Sequence, residues 1–185
     1  MTELRIDLPD GIAVAKQSDW RQLTDITAEA FSTDPVNRWA FGSDAGIRDC
    51  FRIMARHVYL PSGLCHLAGD RGATMWGLPG AMPRMGFFAT LRFAWAMTAG
   101  RHKNALARGQ HLGALMEAHH PKETHAYLFT VGTRQSARGK GVGKSLLNPI
   151  LAACDAAELP VYLENSNPEN TGFYRSLGFQ TVETF

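Results

Sequence analysis

The segment that most restricts how this chain can fold runs from His125 to Ser145. His125 to Thr133 (His-Ala-Tyr-Leu-Phe-Thr-Val-Gly-Thr) is an aromatic and β-branched run of strand length. A loop follows, Arg138-Gly139-Lys140-Gly141-Val142-Gly143-Lys144-Ser145, and it opens a helical pattern over 141–157. Glycine permits positive φ and lets backbone N–H groups reach a ligand with no Cβ in the way. A helix N-terminus adds unpaired N–H donors and a partial positive charge that suit phosphate oxygens. Arg138, Lys140 and Lys144 add charge-assisted donors. The loop reads as a phosphate site, set against the plainer reading of a solvated glycine-rich turn.

Gly143-Lys144-Ser145 copies the end of a nucleotide P-loop, but G-x-x-x-x-G-K-[ST] needs glycine where this chain has Arg138. Thr133 to Arg138 also separate strand from glycines, and no apolar strand ends in an Asp for magnesium. The dinucleotide pattern G-x-G-x-x-G is absent.

Around this unit the chain alternates elements. Ile12 to Ala15 reads as a strand, and Ser18 or Asp19 as a cap before a helix carrying Leu23, Ile26, Thr27, Ala30 and Phe31. Asp34-Pro35 is expected to end that helix. Ile47 to Tyr59 reads as a second helix. Two strands, Cys65–Ala68 and Ala73–Leu78, flank the turn Gly69-Asp70-Arg71-Gly72. Residues 83–119 are helical with glycine interruptions, and their large apolar side chains (Phe87, Leu91, Trp95, Met97) are expected to pack, a wall of an acceptor pocket being the alternative. Asn148-Pro149 predicts a bend in the helix after the loop. Val161 to Glu164 reads as a strand, 168–177 as a short helix and 179–183 as a last strand. The fold class is α/β, a mixed sheet with helices, in one domain over 1–185.

Arg138-Gly139-Lys140-Gly141-Val142-Gly143 resembles the (Q/R)-x-x-G-x-(G/A) signature of the GNAT acetyltransferase superfamily. The resemblance continues through Val161-Tyr162-Leu163-Glu164-Asn165-Ser166-Asn167-Pro168-Glu169-Asn170 and Phe173-Tyr174-Arg175-Ser176-Leu177-Gly178-Phe179. Across His120 to Val182 the chain looks particularly like the puromycin N-acetyltransferase branch; upstream the likeness is thin. This resemblance implies a mostly antiparallel sheet (α+β) whose strands splay at a cofactor cleft, with a cofactor core over about 125–179 and an acceptor half over about 12–120. It implies acetyl-CoA as co-substrate and N-acetyl transfer to the primary amine of a small acceptor, by direct attack in a ternary complex. Non-catalytic acyl-CoA binding and acetylation of a protein are the alternatives.

The same resemblance assigns residues. Val131, Gly132 and Thr133 face the pantetheine arm, while Gly139, Gly141, Val142, Gly143 and Lys144 hold the pyrophosphate with Arg138, Lys140 and Ser145. Asn170 contacts the cofactor arm, and Tyr174 is the general acid, a phenol with an ordinary pKa near 10. Some family members carry a base on the strand before the loop; this chain has no carboxylate there, which leaves Glu164 as nearest candidate. His119 and His120, ahead of Pro121, read as an exposed turn. Asp34, Trp39 and Phe41 lie where that branch builds its acceptor site. The family continues to a seventh strand, whereas this sequence stops after the expected sixth. A short protein, a sheet completed by a second copy in a homodimer, and a piece of a longer chain all fit that.

Composition bounds the rest. A formal charge of +2 gives no basic field for nucleic acid. Cys50, Cys65 and Cys154 are too scattered for a zinc site or disulfide framework, so no metal is expected and a reducing cytoplasm fits. No membrane-length apolar run or signal segment is seen.

Overall fold

The structure is a computed structural model that describes residues 4–100, 102 and 104–185. In chain order the elements are β1 (Ala13–Val14), α1 (Trp20–Ala30), α2 (Pro35–Phe41), α3 (Asp44–Met54), α4 (Leu60–Ser62), β2 (Leu64–Leu67) and β3 (Gly72–Gly77). They continue with α5 (Phe87–Ala99), α6 (Ala105–His119), β4 (Ala126–Thr133), α7 (Val142–Ala156), β5 (Val161–Tyr162) and α8 (Thr171–Arg175). Among the described residues the strands form one five-stranded sheet in the order β1-β2-β3-β4-β5. The first three pairings are antiparallel and β4–β5 is parallel. A mostly antiparallel mixed sheet flanked by helices is the architecture expected.

Each face of the sheet buries one layer. Leu23 and Ile26 of α1 and Ile47 and Phe51 of α3 pack with Met75 on one face. On the other, Leu147, Ile150 and Cys154 of α7 meet Trp76, Ala126 and Leu128. Fully burying one such aliphatic side chain contributes roughly 1.5–3 kcal/mol, so these layers fix all three helices. Two glycines let the helices come close. A Cβ on Gly132 would stand 2.9 Å from Ala30 Cβ in α1, and one on Gly72 would stand 2.8 Å from Val142 Cγ1 in α7. α7 runs unbroken through Pro149.

Several expectations change. Asp34-Pro35 does not end the first helix: α1 stops at Ala30, and Asp34 caps α2 with Pro35 in its first turn. The second helix starts at Asp44, capped by Ser43, and leaves α3 through a π-helical turn over Ala55–Tyr59. The packing expected of Phe87, Leu91 and Trp95 is absent; they are exposed on α5, while Phe93 and Met97 are buried. Residues 179–183 form no strand. The tail folds against the end of α6, with Glu183 Oε2 3.0 Å from His119 Nδ1 and the Phe185 ring stacked on His119. No helix among the described residues is long and apolar enough to cross a membrane.

Candidate active site

β4 and β5 pair only at Ala126↔Val161 and Tyr127↔Tyr162, and then part. Beyond them β4 keeps β3 on one side and opens on the other. Thr130 lies opposite Met75 and Leu128 opposite Trp76, so Phe129 is an extra, bulged residue. Past β5 the chain bends toward α2, where the Ser166 hydroxyl donates to Asp34 Oδ2 at 2.5 Å. The parting leads into a cleft of about 530 Å³ bounded by β4, the glycine loop, the α1–α2 connection and α8.

One end of the cleft is the glycine loop. Gly139 and Gly141 have φ of +73° and +77°, which favours glycine, and a Cβ at either would meet nothing within 4 Å. No side chain caps α7 at Gly141, and its first intrahelical bond runs from the Ser145 N–H to the Gly141 carbonyl. The N–H groups of Val142, Gly143 and Lys144 therefore have no intrahelical acceptor. Arg138 and Lys144 border the cleft. The Arg138 guanidinium donates to the Ala30 carbonyl at 3.0 Å, the end of α1 where a cation is favoured. Beside it Arg134 ties Glu29 to Asp70, and the Gln135 N–H donates to Glu29. That backbone bond does most to hold the Glu29 carboxyl below its ordinary range; burial opposes it, and the hydrogen bond and charge of Arg134 add to it. The pair pins the start of the loop to α1.

Tyr174 and Asn170 line the same cleft. Asn167 caps the turn ahead of α8, its side chain accepting from the Glu169 N–H. Burial first, and then the charge of Asp34, push the Tyr174 phenol up to about 12, so it is protonated across the physiological range.

Glu164 is not among the residues lining that cleft. It sits where β4 and β5 part, with Oε1 buried, lacking a hydrogen-bond partner among the described residues, and 3.6 Å from His120 Nδ1. Its charge adds to burial in raising the phenols of Tyr59, Tyr127 and Tyr162, the last to about 12. His120 Nε2 lies 3.0 Å from His125 Nε2, and His125 Nδ1 lies 2.7 Å from the Glu123 carbonyl. His120 is thus no exposed turn residue: it packs edge-on against Tyr127 and Tyr162. His119, by contrast, pairs with the tail. His125, Tyr59, Tyr127 and Tyr162 went unsingled in the sequence because only strand pairing and the fold of residues 120–125 bring them together.

The other sequence-predicted residues divide. Val131, Thr133, Gly139, Gly141, Val142, Gly143 and Lys144 reach the cleft. Gly132 instead faces α1, as above. Lys140 is exposed outside the lining, and the Ser145 hydroxyl donates back to the Gly141 carbonyl, so its proton is already used. Asp34 borders the cleft, but Oδ1 accepts from the Asn37 backbone and side chain and Oδ2 from Ser166. Phe41 is a core residue packed on Phe93, which removes it from any acceptor site. Trp39 lies on the surface between Arg108 and His111, also off the cleft. Among the described residues no group of three or more His, Cys, Asp or Glu is placed to hold a metal ion.

The sequence model described as the acetyltransferase (GNAT) family matches residues 84–179. An uncharacterised N-acetyltransferase of Schizosaccharomyces pombe is 42% identical over 53 residues, 29% of this chain and only 22% of that protein's length. A solved structure described as histone acetyltransferase HPA2 and related acetyltransferase, from Corynebacterium glutamicum, superposes with a TM-score of 0.62 at 27% identity. It covers 92% of this chain and 84% of that one. A GCN5-related N-acetyltransferase from Ralstonia eutropha shares the fold at a TM-score of 0.54 and 13% identity, with 94% and 95% covered.

Proposed function

The chain belongs to the acetyltransferase (GNAT) family, and from that premise we propose that it moves the acetyl group of acetyl-CoA to the primary amine of a small acceptor. The observation that carries this reading is one cleft joining an uncapped α7 N-terminus, left-handed glycines, a parted strand pair and the Tyr174 phenol. The fit to coenzyme A rests on the loop: unbonded N–H groups and open space beside Gly139 and Gly141 suit a pyrophosphate, with Arg138 and Lys144 adding positive charge. Val131 and Thr133 offer a β4 edge to the pantetheine arm. The likeness to puromycin N-acetyltransferases in the sequence over 120–182 is what favours a small acceptor.

The thioester supplies the acetyl group; the chain's residues handle binding and protons. Glu164 lies outside the cleft lining, at the parting of β4 and β5 that leads into it, and accepts the proton of the incoming ammonium through water, so that the neutral amine forms the N–C bond as the C–S bond breaks. Tyr174 donates to the departing sulfur. A phenol near 12 facing a thiol of ordinary pKa about 8.5 makes complete transfer uphill by about 5 kcal/mol. Tyr174 therefore acts as a hydrogen-bond donor whose bond strengthens as sulfur gains charge.

A second reading, a protein acceptor, draws on the 27% identity to the structure described as a histone acetyltransferase. Thiol release from acetyl-CoA, across a panel of small amines and basic peptides, decides between them. Acetylation of small amines with Tyr174→Phe strongly impaired is the expected result. If acetyl-CoA neither raises the melting temperature nor loses its acetyl group to any amine, the proposal fails.

A further inference from the structure

We infer that His120 and His125 are positioning residues for the base: His120 takes the proton from Glu164 and passes it outward while His125 fixes its tautomer, a relay resting on the reading of Glu164 as base. The far end of the relay fixes its direction. The Glu123 carbonyl, 2.7 Å from His125 Nδ1, can only accept, so Nδ1 carries the hydrogen. A neutral His125 then presents a lone pair at Nε2. His120 Nε2 stands 3.0 Å from that lone pair and must be the donor, because two lone pairs cannot share this distance. A neutral His120 is left with its only lone pair on Nδ1, and Nδ1 faces Glu164 Oε1 at 3.6 Å. One backbone carbonyl has set the tautomers of both rings, and the order ends in an empty proton site beside the carboxylate.

The groups around the relay suit that direction. Glu164 Oε1 is buried and no hydrogen-bond donor among the described residues occupies it, so its lone pairs are open to an arriving proton. Tyr127 and Tyr162 pack edge-on against His120 and Tyr162 against His125, and their raised phenols keep their own protons. Tyr59, also raised, faces Glu164 from the π-helical turn. Glu183 of the tail adds negative charge near Tyr162 and is itself bonded to His119. His120, with about a quarter of its side chain exposed, is the most solvent-accessible of the three groups.

The step balances. The ammonium N–H breaks and its proton bonds to Glu164 Oε1; Glu164 then gives a proton to His120 Nδ1, forming an imidazolium that bonds Glu164 on one side and His125 on the other. His120 loses a proton to buffer and regains its starting tautomer. The 3.6 Å separation must close by about 0.5–0.8 Å for transfer, a tightening common when substrate binds.

Two measurements test this. Long-range proton–nitrogen NMR of the full chain without ligand should show the Nδ1–H tautomer at His125 and the Nε2–H tautomer at His120 at pH 8. The opposite tautomer at either ring overturns the relay even if the protein acetylates nothing. With any amine that wild type acetylates, His120→Ala should lower kcat at pH 7 about tenfold to a hundredfold with KM little changed. Imidazole in the buffer should restore part of it. Full activity in His120→Ala, or a loss that imidazole leaves untouched, also overturns the relay. A wild type that releases no thiol would sink the enzyme reading while the NMR result still stands or falls alone.

Discussion

Replacing Gly141 with alanine separates what the glycine loop does for folding from what it does for binding. Gly141 sits at φ +77°, ψ 0° at the head of α7, and a Cβ there meets no protein atom within 4 Å. The folded-state penalty is thus conformational, about 1–2 kcal/mol for an L-residue in the left-handed region. At about 2–4 °C per kcal/mol for a chain of this size, the melting temperature should fall by about 2–8 °C. Gly178→Ala is the matched control: φ is +92°, the space around a Cβ is equally open, and the residue lies outside the cleft. Only at Gly141 does the new methyl group enter the place argued for the pyrophosphate. Displacing one charge-assisted hydrogen bond is worth about 1.5–3 kcal/mol, roughly a tenfold to hundredfold weaker coenzyme A by calorimetry. Gly178→Ala should bind within about twofold of wild type despite a similar fall in melting temperature. Equal affinity in both variants, or equal loss in both, would refute the cradle.

Tyr174→Phe should reduce kcat by about a hundredfold or more. Because the phenol is pushed up to about 12, the wild-type rate should show no fall from Tyr174 ionisation below about pH 11, and a limb near pH 9 assigned to Tyr174 would contradict the geometry. Leu146→Ala, at a site with no exposed surface, should destabilise by about 2–5 kcal/mol in urea unfolding without altering coenzyme A affinity per folded molecule. Burial pushes His66 down to about 4, so between pH 6.5 and 4 the unfolded chain holds a proton that the folded chain does not. Stability should therefore fall with pH over that window by up to about 3 kcal/mol, and His66→Gln should flatten that slope whatever its effect at pH 7.

How far the sequence foretold this site depends on the range of each interaction. The loop was legible because glycine spacing, basic residues and the start of α7 lie within a few positions of one another. Tyr174 was legible through its neighbours in the Phe173–Phe179 block. Asp34 was misjudged in role, since a carboxylate before proline looks the same whether it awaits a ligand or caps a helix. Its bonds to Asn37 and Ser166 decide that, and Ser166 is 132 residues away. Phe41 and Trp39 share one short helix, and the pattern of seven residues did not reveal which side would face Phe93. The strand expected at 179–183 failed because alternation needs a neighbouring strand, and the tail found α6 instead. The histidine pair emerged only once residues 120–125 curled back against β5.

The π-helical turn over Ala55–Tyr59 gives this architecture a sensitivity that ordinary substitutions would not reveal. Its wide closing bond, from the Leu60 N–H to the Ala55 carbonyl, accommodates one residue beyond an α-turn. Tyr59, the last residue of that turn, stacks on Phe129, the bulged residue of β4, at 4.6 Å. Two single-residue insertions, one in a helix and one in a strand, therefore meet face to face beside Glu164. Deleting either alone would rephase only its own side of the contact: the helix by about 100° and the strand by a flip of every side chain beyond it. Insertion and deletion, rather than replacement, is therefore the kind of change this corner of the molecule resists most.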